Sequence, residues 1–188
     1  MSRSRLSARL HKTLLKDGLG QEEAKAAACG TRAGVGQDGV GVAQRHGKVV
    51  WNQGGASDNV YRREYCWIVG ILTPASRYLA GLLPLVRQAD ASASKVALLR
   101  ASTGEFPKAV CSGVAEAADD LGFSIVLTTD FPASTKRFTD VLRELKAAQP
   151  DMVVVVGRIQ NDFELARQLT ESEINAGTVV AVAAGIQG

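Results

Sequence analysis

Three short β-branched runs, separated by amphipathic helical patterns at nearly constant spacing, restrict the fold of this chain more than any other feature. The runs are Lys95–Arg100, Ser124–Thr128 and Met152–Gly157, and a fourth, Thr178–Val182, continues the series. Each is an almost unbroken apolar segment, as expected for strands buried on both faces of a parallel sheet. Their starting points lie about 29, 28 and 26 residues apart, the length of one right-handed strand–helix crossover. The sequence therefore predicts an α/β fold with parallel sheets flanked by helices.

Each interval between these runs carries a helical pattern with one apolar stripe. In the first interval, apolar residues recur at steps of four or seven over 106–121, and Gly122 follows as a left-handed stop. In the second interval, Ser134 is the predicted N-cap of a helix. After the third run, Asn161 with Glu164 three residues later resembles a capping box. These helices are predicted to cover the sheet.

Residues 1–46 differ in composition from the rest of the chain. The spacing of Leu6, Leu10 and Leu14 indicates a short basic helix, which an Ala-rich piece and a Gly-rich stretch follow. Gly34–Gly39 has the spelling G-x-G-x-x-G, but a dinucleotide site needs a strand before it, and the preceding residues form helices more readily than strands. We therefore expect an atypical N-terminal segment, poorly ordered or disturbed.

From residue 47 onward the pattern is regular. Lys48–Asn52 is predicted to be a buried strand, and it runs into a loop containing Gly54 and Gly55, which leave backbone N–H groups accessible. Ser57 or Asp58 is the predicted cap of the short helix that follows. Such a junction suits a carboxylate ligand, but the residues alone favour a tight turn with an N-cap.

A second strand is predicted over Cys66–Leu72, and Pro74 ends it before a helical pattern. Pro84 lies inside that pattern and is expected to kink the helix or to shorten its first part. We take Pro74 as the point where the chain passes between lobes. The predicted domains are then 47–73, part of a first lobe, and 74–188, a second lobe that is incomplete at its C-terminus.

Composition and charge exclude several classes of function. A formal net charge of +3 with dispersed Lys and Arg residues gives no support for nucleic-acid binding. No apolar run approaches the roughly 18–20 residues needed to cross a bilayer, and no export signal is visible. Cys29, Cys66 and Cys111 are odd in number, far apart and without paired histidines. They predict neither a zinc site nor a disulfide framework, and we expect buried free thiols.

The loops after the predicted strands determine what chemistry the chain offers, because ligands of doubly wound sheets bind outside the carboxyl ends of the strands. Phe106 stands just inside a helix there, among hydrogen-bonding groups: Ser57, Ser102, Thr103, Arg158 and Gln160. No nucleophile–base pair, no paired carboxylates and no Walker-type motif are present in the sequence. We expect no enzymatic activity, no cofactor and no bound metal.

The order of several motifs resembles the type I periplasmic substrate-binding proteins of ABC transporters, the class that includes leucine/isoleucine/valine-binding proteins. The motifs are residues 47–58, 72–79, 95–99, 104–106, 131–134, 137–140 and 145–155. No single motif is specific, but the ordered series is, and it extends from Gly47 to Gly188. The resemblance implies a two-lobed fold that closes like a hinge on a small polar ligand, here incomplete.

The resemblance also implies which residues bind the ligand. In the first lobe it assigns Gly54, Gly55, Ala56 and Ser57 to the carboxylate and ammonium groups of the ligand. In the second lobe it assigns Phe106, which stands where some relatives carry a tyrosine, together with Arg158 and Gln160. Ser76 or Tyr78 adds a further contact.

The function implied is capture of an amino acid or a similar small polar carboxylate and its delivery to an ABC transporter, without catalysis. The partners implied are the small-molecule ligand and the membrane permease, and the location is periplasmic or at the cell surface. The alternative is the ligand-sensing domain of a receptor or regulator with the same fold. A complete member of the class is about twice as long, so we expect a partial or frame-disturbed copy. The ligand itself stays open.

Overall fold

A computed structural model of the chain describes residues 41, 44–52, 56–62, 65–172 and 174–182. Contacts divide the chain between Ala75 and Ser76 into two compact units. The first unit contains a two-stranded sheet and the second a four-stranded sheet. The predicted N-terminal anomaly, the Gly34–Gly39 motif and Cys29 lie outside the described residues.

Within its described residues, the first unit has two parallel strands and one short helix between them. Its elements are β1 (Val50–Asn52), α1 (Asp58–Tyr61) and β2 (Ile68–Gly70). Asn52 is buried, and its Nδ2 donates a hydrogen bond to the hydroxyl of Tyr61 at 3.3 Å. Gly70 lies under the same ring, since a Cβ at this position would be 2.7 Å from the Tyr61 hydroxyl. Tyr61 therefore covers one face of the sheet.

The other face of this sheet is more exposed than the sequence predicts. Lys48–Asn52 was expected to be a buried strand, but β1 begins only at Val50 and Trp51 is 67% exposed. The partner strand is also shorter than the predicted Cys66–Leu72. Large apolar residues of alternating position are exposed along both strands: Val49, Trp51, Trp67, Val69 and Ile71. Burial on both faces needs elements on each side of the sheet, and α1, the helix of this unit that the structure describes in full, lies on one side.

The second unit contains the predicted repeat of strands and helices. Its elements are α2 (Leu82–Ala89), β3 (Lys95–Ala101), α3 (Glu105–Asp120), β4 (Ser124–Phe131), α4 (Thr139–Ala148), β5 (Met152–Val156), α5 (Ile159–Glu171) and β6 (Thr178–Ala181). All neighbouring strands are parallel, in the order β4-β3-β5-β6. The predicted fold class, parallel sheets flanked by helices, is confirmed.

The core of this unit lies on both faces of the central strands. Residues of alternating position on β3 and β5 pack against α4 and α5 in one cluster: Ala97, Leu99, Ala101, Val153 and Val155 with Phe138, Val141, Leu145, Leu165 and Leu169. The intervening residues Val96 and Leu98 are also buried and face the opposite side because side chains alternate along a strand. There α3 contacts β3, β4 and β5.

The starts of two helices differ from prediction. Helix α4 begins at Thr139, and Ser134 is not its cap but an exposed residue of the preceding loop. That loop is held from a distance, because Gln168 of α5 accepts the N–H of Phe138 at 2.9 Å and donates to the carbonyl of Lys136 at 2.8 Å. Helix α5 begins at Ile159, so Asn161 lies inside its first turn, three residues after the N-cap. The predicted capping box therefore lies three residues too late.

The proline and glycine that were predicted to interrupt helices in the second unit lie near helix ends, as expected. A 3₁₀ turn at Ala75–Arg77 precedes α2, and Pro84 is the third residue of that helix. Backbone N–H groups in a first turn have no intrahelical partner, so Pro84 shortens the helix and does not kink it. Gly122 has φ +70° after α3, which confirms the left-handed stop.

The two cysteines within the described residues differ in environment. Both are free thiols; Cys111 is buried in α3, whereas Cys66 is exposed, so the expectation of burial is wrong for Cys66. Among the described parts of the chain, no helix combines the length and apolarity that a membrane crossing requires.

Candidate functional site

The carboxyl ends of β3 and β5 bring two predicted binding loops together in the second unit. These strands are direct neighbours, with Arg100 paired to Val156 near their ends. Because parallel strands end at the same edge of a sheet, the loops after them lie side by side. Phe106 stands in the first turn of α3, and Arg158 and Gln160 stand at the start of α5. This carboxyl edge is the candidate site.

An aromatic pair forms one part of this edge. The rings of Tyr78 and Phe106 meet edge to face, with centroids 5.3 Å apart and an interplanar angle of 78°. Ser76 lies two residues before Tyr78, and its backbone packs against Gly113 of α3 so closely that a Cβ there would lie 2.6 Å from the Ser76 carbonyl carbon. The structure thus brings Tyr78 to Phe106, whereas Ser76 packs against α3 about two turns further along the helix.

The turn after β5 carries the other two predicted residues. The N–H of Gly157 donates to Oδ1 of Asp162 at 3.1 Å, and the N–H of Arg158 donates to Oδ1 of Asn161 at 3.2 Å. Both acceptor residues are buried, whereas Arg158 and Gln160 are exposed. The buried side chains of Asn161 and Asp162 therefore hold the turn in place. The guanidinium of Arg158 and the amide of Gln160 lie on the surface.

Sequence reasoning missed the second role of Asn161. Its Nδ2 donates to the carbonyls of Ala133 and Thr135 at 3.2 and 2.9 Å, in the loop that follows β4. The sequence pattern identified this asparagine only as a helix cap. Its partners lie 26 and 28 residues earlier in the chain, so no local spacing could have revealed them.

In the first unit the predicted site is only partly described. Gly54 and Gly55 lie outside the described residues. Ala56 and Ser57 are buried, and the carbonyl of Ala56 accepts the N–H of Ala75 at 2.7 Å. Ser57 occupies the predicted N-cap position of α1, but its side chain makes no capping hydrogen bond. The position is confirmed and the predicted cap bond is wrong.

The ionisable groups near the carboxyl ends of β3 and β4 show no activated nucleophile. Arg100 pairs with Asp130 across the two strands at 2.6 Å, and this hydrogen bond raises the pKa of Arg100. Burial raises the pKa of the Cys111 thiol to about 11, although Arg100 acts in the opposite direction. A thiol with this pKa stays protonated at neutral pH. Within the described ranges, no cluster of three or more His, Cys, Asp or Glu side chains is placed to hold a metal ion.

A family model described as periplasmic binding protein matches residues 12–188. The match covers most of the chain. It includes residues 12–46, the larger part of the N-terminal segment whose composition differs from that of the rest of the chain. The predicted limits at residues 46 and 73 remain predictions.

Solved structures of solute-binding proteins share the fold. The leucine binding protein LivK of Thermotoga maritima superposes with a TM-score of 0.69 at 10% identity, over 85% of this chain and 49% of that one. The branched-chain amino acid transporter substrate binding protein LivJ of Streptococcus pneumoniae, in complex with isoleucine, gives 0.65 at 16%, over 95% and 58%. A solute binding protein of an ABC transporter from R. palustris, in complex with 4-hydroxybenzoate, gives 0.65 at 13%, over 80% and 41%. The chain thus spans between 41% and 58% of these relatives.

Proposed function

This chain belongs to the periplasmic binding protein family, and on that premise we propose that it is a solute-binding protein that delivers an amino acid or a similar small polar carboxylate to an ABC transporter. The observation that carries the proposal is the family match over residues 12–188. The partner is then the membrane permease of the transporter, the location is outside the cytoplasm, and the activity is binding without catalysis.

The carboxyl edge of the second unit offers the groups that such a ligand needs. Arg158 is exposed at the start of α5, and a guanidinium pairs well with a carboxylate through charge-assisted hydrogen bonds. The Tyr78–Phe106 pair supplies an apolar surface for the remainder of the ligand. Isoleucine and 4-hydroxybenzoate, the ligands of two relatives, both combine a carboxylate with an apolar body.

The first unit contributes less direct support. We propose Gly54, Gly55, Ala56 and Ser57 as the carboxylate-binding loop by resemblance to the family. Ser57 is only 3% exposed, so in this structure its hydroxyl offers little surface to a ligand. The residues of the second unit therefore provide the stronger test.

The experiment is calorimetric titration of the purified chain with isoleucine, leucine, valine and 4-hydroxybenzoate. Arg158→Ala should weaken binding roughly ten- to a hundredfold, because a hydrogen bond to a charged group is worth about 1.5–3 kcal/mol. Arg143→Ala removes an exposed arginine of α4 and serves as the matched control with unchanged affinity. Absence of binding by every member of the panel would refute the proposal, and equal affinity of Arg158→Ala and the wild type would remove Arg158 from the site.

A further inference from the structure

One buried amide connects two loops at the carboxyl edge of the second unit. Asn161 is 2% exposed, and it makes three hydrogen bonds: two donated to the loop after β4 and one accepted from the N–H of Arg158. We infer that Asn161 is a positioning residue, which holds the loop at 132–138 against the turn carrying Arg158 and Gln160. The inference rests on the proposed function, since it concerns how that edge is prepared for a ligand.

Capping of α5 does not account for these contacts. A residue at this position satisfies the helix end by accepting the N–H of the N-cap residue, which here uses Oδ1 of Asn161 alone. The Nδ2 donors are directed to a different loop, at the carbonyls of Ala133 and Thr135. A buried polar group without a partner costs free energy, so the side chain and the loop stabilise each other only in this arrangement.

The same helix fixes both loops at further points. Gln168 holds the far end of the β4 loop through Lys136 and Phe138. Asp162, which is also buried, accepts the N–H of Gly157. A Cβ at Gly157 would lie 2.8 Å from Oδ1 of Asp162, so the turn fits closely onto α5. Asn161 lies between these points, and its side chain bonds to both loops.

Hydrogen exchange measured by mass spectrometry on the full chain tests this role. Asn161→Ala should speed exchange by roughly five- to a hundredfold in residues 132–138, which lose two hydrogen bonds, and by roughly two- to tenfold in residues 157–160, which lose one. It should also weaken binding of isoleucine or 4-hydroxybenzoate by roughly five- to a hundredfold. The matched control is Asn175→Ala, because Asn175 is an exposed asparagine in the loop before β6; this variant should match the wild type in both measurements.

A second variant separates the donor function from packing. Asn161→Asp keeps an acceptor for the N–H of Arg158 but has no donor for the two carbonyls while it is ionised. At pH 7 Asn161→Asp should therefore speed exchange of residues 132–138 as much as Asn161→Ala does, whereas residues 157–160 should stay as protected as in the wild type.

Three outcomes would overturn the inference. Unchanged exchange of both loops in Asn161→Ala would show that the amide does not hold them. Faster exchange with unchanged ligand affinity would show that Asn161 stabilises the loops but does not position them for binding. Failure of the wild-type chain to bind either probe would refute the proposed function and the positioning role with it, whereas the exchange data would still report whether the loops are coupled.

Discussion

Replacement of Gly113 by alanine is the sharpest test of how the second unit is assembled. Gly113 lies in the interior of α3, a helix of 16 residues. A Cβ at this position would lie 2.6 Å from the carbonyl carbon and 2.8 Å from the Cα of Ser76. These are backbone atoms, so no side-chain rotation can relieve the contact. The helix and the segment that carries Tyr78 must move apart.

The structure gives the size of the effect. Carbon atoms in contact lie about 3.5–4.0 Å apart, and the Ser76 carbonyl oxygen is nearer to this Cβ than either carbon, so the two backbones must separate by more than about 1 Å. Overpacking of a tight contact costs about 1–3 kcal/mol, and the upper part of this range applies because both sides are backbone. Alanine in a helix interior regains about 1 kcal/mol relative to glycine. We expect Gly113→Ala to lower the free energy of unfolding by about 2 kcal/mol.

Thermal and urea unfolding followed by circular dichroism measure this loss, which corresponds to a fall in Tm of roughly 5–10 °C. Gly81→Ala is the matched control: Gly81 is the N-cap of α2 and has no atom within 4 Å of a Cβ, so this variant should lose at most about 1 kcal/mol, the cost of alanine at an N-cap. If Gly113→Ala is as stable as Gly81→Ala, the close approach of α3 to Ser76 is wrong, and with it the explanation of how Tyr78 reaches Phe106.

Three further predictions use single residues. In the native protein a thiol reagent should label Cys66 and leave Cys111 unlabelled until urea is added, because Cys66 is exposed and burial raises the pKa of Cys111 to about 11; equal labelling rates by peptide mass spectrometry would contradict this. The pKa of Asp151 lies below its usual value, because its carboxylate accepts the N–H groups of Ser94 and Lys95. A carboxyl whose pKa is lower in the folded than in the unfolded state stabilises the protein above the unfolded pKa of about 3.9. This stabilisation is lost as the pH falls through the folded-state pKa. The stability difference between wild type and Asp151→Asn in urea should therefore be larger at pH 7 than at pH 3, and a constant difference would refute the charge-assisted role. Gly122→Ala should cost about 1–2 kcal/mol by urea unfolding from its positive φ alone, since no atom lies within 4 Å of a Cβ there, and a stability equal to the wild type would exclude strain at this position.

The repeat of strands and helices in the second unit could be predicted from the sequence because each element carries its own signal. The run Met152–Val156 is buried at every residue, and burial on both faces of a sheet selects unbroken apolar segments. The start of α4 could not be predicted in the same way. Ser134 satisfies the local rule for a cap, but Gln168, about thirty residues later in the chain, fixes the backbone up to Phe138 in a non-helical loop.

The first unit shows the opposite error: the local sequence pattern predicted a buried strand, but the residues around it leave Trp51 exposed. Trp51 belongs to an apolar run, and such a run is consistent with a strand buried on both faces. Burial also needs neighbours; among the described residues of this unit Tyr61 of α1 packs at Asn52 and Gly70, whereas Trp51 stays exposed. The sequence pattern identified that a strand is present here but not where it begins or how exposed it is.

The candidate site follows the same division between local and distant causes. The loops after β3 and β5 were predicted from the strand pattern, so the positions of Phe106 and Arg158 at one edge of the sheet follow from local signals and parallel topology. What prepares that edge is distant in sequence: Gly113 admits the backbone of Ser76, and Asn161 joins the β4 loop to the turn before α5. Substitutions at Gly113 and Asn161 should therefore weaken ligand binding although neither residue needs to touch the ligand, because ordering a loosened site on binding costs free energy.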